Sequence, residues 1–267
     1  MAERHLLHLA HANGYPPGCY RALSAVWEED WDVYAYPFRP LQPGSDPLRL
    51  RSWHDLATDL IAVLEHTGQG RPWIGVGHSL GAVVTLLAAA RRPTLFSRLV
   101  LLDPVFLPRR WYWVGRLVPL GLRHHVVPLA RQALRRRDRW PDPGSARARL
   151  RRKSIFRRIP DPVFDDLMSA FLRPSPHGGV ELAYSRQWEA RIYNTVTDPY
   201  AALSRVALPM LVLRGACSDT ILPRVWERVR RINPRATFLE VPDCGHLLPF
   251  ERPQVIAGLV RDFLTAG

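Results

Sequence analysis

The segment Gly77-His78-Ser79-Leu80-Gly81 joins the apolar run PWIGV to the apolar run AVVTLLAAA. That pattern reads as strand, sharp turn, helix. The turn would hold Ser79 strained and exposed at the carboxyl edge of a sheet, with glycines where side chains would clash. By chance the G-x-S-x-G spacing arises roughly 0.1 times in a chain of this size, so its flanks carry the argument. A serine hydroxyl is a poor nucleophile at neutral pH. It needs a neutral imidazole to take its proton and a carboxylate to orient that imidazole. MLVLRGACSDT offers Asp219 on a loop after a strand, and FLEVPDCGHLLPFERP offers His246 in the same way. Asp103, in LLDPVF, is a rival acid at the end of the strand after the elbow helix. A histidine base must be neutral, so activity should rise with pH through the imidazole range.

Other polar residues have plainer roles. His78 is expected to pack or hydrogen-bond behind Ser79. His8 and His11 lack a third ligand at supporting spacing, so no metal is expected. Cys217 and Cys244 each precede a candidate triad residue by two positions and read as small buried thiols. Glu251 is expected near the start of the last helix, where a carboxylate is favoured.

The elements that must position these groups alternate. Strands are predicted at His5–Ala10, Asp32–Tyr36, Trp73–Val76, Arg98–Leu102, Met210–Arg214 and Thr237–Val241, from short runs rich in Val, Ile and Leu. Residues 53–66 read as a helix with Leu56, Leu60, Ile61 and Leu64 on one face, opened by Ser52 and Asp55 in a capping-box-like pair. Residues 80–91 and 252–264 also read as helices. The alternation predicts an α/β fold, a mostly parallel open sheet of about six strands flanked by helices. The 96 residues from Pro104 to Pro199 exceed an ordinary crossover. They divide the chain into a core of 1–103 with 200–267, and an inserted, mainly helical cap over 104–199. Helical patterns within it cover 111–137, 161–172 and 180–193, with a loop at 140–145.

The chain has 267 residues, 37 basic and 24 acidic, for a net charge of +13. Lys153 is the only lysine. Residues 109–158 hold 16 of the basic residues and two acids, Asp138 and Asp142, so the surplus belongs to the cap. Three scattered cysteines give no disulfide framework or metal spacing. The N-terminus lacks the apolar run of a signal peptide, and no window reads as a membrane span, so a cytoplasmic setting is expected.

On GHSLGA, RGACSDT, GHLLPFERP and the early HLAHANGYPP, the chain resembles the α/β-hydrolase family over residues 5–104 and 200–265. The order Ser79, Asp219, His246 is the family's order. The resemblance implies Ser79 as nucleophile, Asp219 as acid and His246 as base, with the backbone N–H groups of Leu80 and Asn13 as oxyanion donors. Ala12 stands where the family usually has glycine. The family's N-terminal strand pair is missing, which would leave the strand at 32–36 as an edge. The implied activity is serine hydrolysis of a hydrophobic carboxylic ester through an acyl-enzyme, with no cofactor. Lactone opening, C–C bond hydrolysis and perhydrolase chemistry use the same triad. A non-enzymatic binder of nucleic acid or anionic lipid is less favoured, because it leaves the triad unexplained. Trp111, Tyr112, Trp113, Leu117, Val118, Leu120, Leu122, Val126 and Val127, set among arginines, make the cap a candidate for peripheral contact with anionic membrane; the plainer reading is a charged lid whose apolar side packs over the pocket.

Overall fold

The computed structural model describes residues 4–266, apart from the side chains of 114–116. The first half runs β1 (Leu6–Ala10), α1 (Arg21–Trp27), β2 (Asp32–Tyr36), α2 (Trp53–Gly68), β3 (Trp73–His78), α3 (Leu80–Arg91) and β4 (Phe96–Leu102). The insertion follows as α4 (Arg109–Leu117), α5 (Arg123–Val126), α6 (Pro128–Arg135), β5 (Arg139–Trp140), α7 (Pro143–Arg151), α8 (Asp161–Phe171), β6 (Leu172–Pro174), β7 (Val180–Leu182) and α9 (Arg186–Asn194). The chain ends with α10 (Tyr200–Arg205), β8 (Met210–Gly215), α11 (Pro223–Ile232), β9 (Thr237–Val241), α12 (Leu248–Glu251) and α13 (Pro253–Thr265).

Six strands form one parallel sheet in the order β2-β1-β3-β4-β8-β9. The central strands β3 and β8 are buried along their whole length, as two-sided cover by helices requires. Helix α3 lies against the middle of the sheet, and residues 80–89 are all buried, so it is apolar all round. Helix α2 instead buries one stripe, with Leu56, Leu60 and Leu64 fully inside. Each such leucine contributes about 1.5–3 kcal/mol of burial. The Asp55 carboxylate accepts from the N–H of Ser52 at 3.1 Å and starts that helix as the sequence predicts. Strand β2 is an edge; it is short, and Asp32 at its start faces Arg4 at 3.8 Å.

The inserted segment is mainly helical, as expected, with short strands among its helices. The run at 180–193 opens as a strand, and β5, β7 and β6 form a small antiparallel sheet. The expected loop at 140–145 is shorter, because Trp140 ends β5 and the Asp142 carboxylate accepts from the Ser145 N–H at 2.8 Å to cap α7. Among the described residues the inserted segment has no large core of its own. Phe156, Phe164, Leu167 and Phe171 are buried in the same apolar cluster as Leu7, Leu23 and Val260. Tyr184, Trp188 and Ile192 join the cluster built by α2 and α3 on the other face. Phe164→Ala should therefore cost about 3–5 kcal/mol and lower the melting temperature of the whole chain in one transition. Calorimetry showing a separate cap transition, with the main one unmoved, would contradict this shared packing.

Candidate functional site

The turn from β3 to α3 forces close backbone approach. A Cβ on Gly77 would sit 2.6 Å from the Ala82 nitrogen, and one on Gly81 would meet the Ala10 carbonyl and lie 2.7 Å from the His11 oxygen. Between them Ser79 has φ 55° and ψ −115°, a conformation L-residues avoid. The Ser79 N–H donates to the Leu102 carbonyl at 3.0 Å, which fixes the elbow against β4. The His246 Nε2 lies 3.0 Å from Ser79 Oγ.

The acid is corrected. His246 Nδ1 donates to the carboxylate of Asp103 at 2.6 Å, so Nε2 is left to accept the serine proton. Asp219, predicted in that position, is exposed on the loop beyond β8. The physical reason lies in the sheet order. Strand β4 is the neighbour of the nucleophile strand β3, and Asp103 is the first residue past its end. Its backbone turns there to φ 41°, and its N–H bonds to the Leu213 carbonyl at 2.7 Å. The RGACSDT loop supplies donors to the acid instead of the acid itself. The Gly215 N–H reaches Asp103 Oδ1 at 3.0 Å, and the Ser218 hydroxyl reaches Oδ2 at 2.5 Å. Gly215 must be glycine, because a Cβ would meet the carbonyls of Cys244 and Gly245 on the histidine loop. The buried Arg214 pairs with Glu240 and donates to the Ile221 carbonyl at 2.8 Å, which holds this loop closed.

Three further groups fix the frame, and sequence reasoning assigned none of them fully. Glu251 ends α12 and stands just before Arg252, the N-cap of α13, near the start of the last helix as expected; it is buried, and its carboxylate accepts from the Gly245 N–H at 2.8 Å beside His246. Tyr20 has no motif to mark it. The Ala12 N–H donates to the Tyr20 hydroxyl at 2.9 Å, and that hydroxyl pairs with His78 Nδ1 at 2.8 Å. His78 Nε2 donates to the His246 carbonyl at 2.9 Å. The carbonyl can only accept, so the proton sits on Nε2 and Nδ1 accepts from Tyr20. Burial, and then nearby His246, hold the His78 pKa well below the usual imidazole value, so it stays neutral.

Leu80 opens α3, so its N–H has no partner within the helix. The loop carrying Asn13 begins at the backbone against which Gly81 packs. His11 Nδ1 donates to the Ala12 carbonyl at 2.8 Å, and its Nε2 accepts from the Phe38 N–H at 3.1 Å. The Asn13 side-chain amide donates to the Glu189 carbonyl at 3.2 Å, tying this loop to the cap. His8 and His11 are buried, and burial pushes their pKa values down to about 3 and about 4. Among the described residues no group of three His, Cys, Asp or Glu side chains could hold a metal. Cys244 is buried but Cys217 is exposed, against expectation, although their loops are neighbours through a 2.8 Å backbone bond.

The chain matches the model of the alpha/beta hydrolase family over residues 9–259. It is 23% identical to the uncharacterized hydrolase YugF of Bacillus subtilis, over 92% of this chain and 84% of that protein. It is 26% identical to the lipase LipV of Mycobacterium tuberculosis, over 77% of this chain and 73% of that protein. Its fold superposes on the crystal structure of E-2-(acetamidomethylene)succinate hydrolase with a TM-score of 0.80 at 20% identity, covering 98% of this chain and 92% of the other.

The arrangement ranks the two carboxylates. Asp103→Asn should reduce turnover of a chromogenic ester by about 10⁴, because the imidazole loses its orienting charge. Asp219→Asn should leave turnover near that of the unaltered protein. Steady-state rates of the two variants side by side, in the reverse ranking, would restore Asp219.

Proposed function

Because this chain belongs to the alpha/beta hydrolase family, we propose that it is a serine hydrolase acting on a hydrophobic carboxylic ester. The hydrogen-bonded series Asp103, His246, Ser79 carries the reading. Ser79 Oγ attacks the ester carbonyl while His246 Nε2 takes its proton. Asp103, buried beside the ring, steadies the imidazolium that forms. The oxyanion is received by the N–H groups of Leu80 and Asn13, since the neighbouring Ala12 N–H is occupied by Tyr20. His246 then protonates the leaving alcohol, and water releases the acyl group by the same steps in reverse. Similarity to a lipase supports an ester over other bonds. Ser79→Ala should abolish fluorophosphonate labelling and lower ester turnover by about 10⁶, with an unchanged circular dichroism spectrum. Retained labelling in that variant would remove the serine from the mechanism.

The cap's apolar residues favour a second element of the reading, reversible contact with anionic membrane. Trp111, Trp113, Leu117, Leu122 and Val126 are each more than half exposed, whereas Tyr112 turns inward and accepts from the Leu107 N–H at 3.0 Å. Exposed aromatic and aliphatic groups beside arginines suit an interface between water and lipid. Among the described residues no helix is long and apolar enough to cross a membrane, so such contact would be peripheral. Sedimentation with phosphatidylserine-containing vesicles should exceed that with phosphatidylcholine alone and fall at high salt. Replacing Leu117 and Leu122 by Asp should weaken it; equal partitioning under all conditions would leave the cap a cover only.

A further inference from the structure

A cleft of about 460 Å³ lies within the cap and is lined by six cations: Arg131, Arg135, Arg136, Arg137, Arg149 and Lys153. No carboxylate lines it, and neither Ser79 nor His246 does. Nearby acids are engaged elsewhere. Asp138 faces Arg186 at 3.4 Å, Glu181 faces Arg139 and Arg173 at 3.4 and 2.9 Å, and Asp142 caps α7. Of the six, Arg136 has an ion pair among the described residues, to Glu189 at 2.5 Å. Like charges sharing one cavity, with Glu189 as the counter-charge found among the described residues, oppose folding. Burial, with Arg136 and Arg149 close by, pulls the Lys153 pKa down.

Two buried donors at this cleft are also unmet. The Trp140 side chain is 4% exposed and lines the cavity, and its Nε1–H has no hydrogen-bond partner. The Arg136 Nε–H has none either. Oxygen acceptors bearing negative charge would offset the repulsion. The forked guanidinium groups match phosphate oxygens in particular.

We propose that the cap cleft is a binding site for a ligand carrying two or more phosphate groups. Its concave shape and volume suit a small molecule's phosphates or a lipid phosphate headgroup drawn into it. The site stands apart from the hydrolytic one and does not depend on the assigned chemistry. It is nonetheless connected to it. The Arg136 partner Glu189 lies 3.8 Å from where a Cβ on Gly14 would be, and its carbonyl accepts from Asn13. Occupancy of the cleft thus bears on the loop that carries Asn13.

Titration calorimetry of the full chain with adenosine 3′,5′-bisphosphate and with inorganic pyrophosphate tests the soluble source. Flotation with phosphatidylcholine vesicles carrying phosphatidylinositol 4,5-bisphosphate tests the lipid source. The variants are Arg131→Glu with Arg149→Glu and, as a milder pair, Arg131→Gln with Arg149→Gln. Both positions are exposed, and circular dichroism checks their folding. Each arginine removed should weaken binding at least about tenfold, the loss of one charge-assisted hydrogen bond. Binding of the soluble probes that weakens in both variants supports a small-molecule site. Binding to the vesicles alone, weakened in the same way, supports a headgroup site. No binding of either kind, or binding that both variants retain, overturns the proposal.

Discussion

A carboxylate removed from water costs several kcal/mol unless its oxygens are met by donors. Asp103 is fully buried, and three donors meet it: the Gly215 N–H, the Ser218 hydroxyl and the His246 ring. Two come from the end of β8 and its loop and the third from the loop after β9, all in the chain's second half beyond the insertion. Satisfying this one charge therefore brings the ends of β4 and β8 and the loop after β9 to a common point. Arg214 and Glu251 extend the same logic outward. One holds the loop that bears Ser218, and the other holds the loop that bears His246. The arrangement around His246 and the stability of this end of the sheet are thus one set of hydrogen bonds.

The elbow imposes the complementary constraint. Gly77 and Gly81 let β3, α3 and the Ala10–His11 backbone meet at distances a side chain forbids. Behind the elbow, Tyr20 and His78 run a directed series of hydrogen bonds from the Ala12 N–H to the His246 carbonyl. The loop assigned to the oxyanion and the loop of the base are therefore positioned against each other through a neutral, buried imidazole.

Much of this was legible beforehand. The strands over Asp32–Tyr36 and Thr237–Val241 and the helix over Leu80–Arg91 stand where hydrophobic runs and glycine punctuation put them. That Ser79 and His246 stand at strand ends where they can meet was readable from local patterns, because an elbow and a strand-end loop are short-range features. The acid did not. Asp103 and Asp219 both follow strands, and only the distance between three strand ends decides which reaches the imidazole. Tyr20, Arg214 and Glu251 escaped a full assignment for a related reason, since their partners are defined by packing between distant segments. The small sheet in the cap was hidden by strands of two and three residues, too short for any periodicity to register.

The near-exclusive use of arginine has a practical side. Guanidinium groups keep their charge across the whole physiological range, so acidity changes and lysine acetylation leave the field around the cap almost untouched. Lys153 is the one side-chain amine in the chain, and it lines the cap cleft. Apart from the backbone amino terminus, an amine-directed label has a single address here, and that address reports on a cavity lined by five arginines.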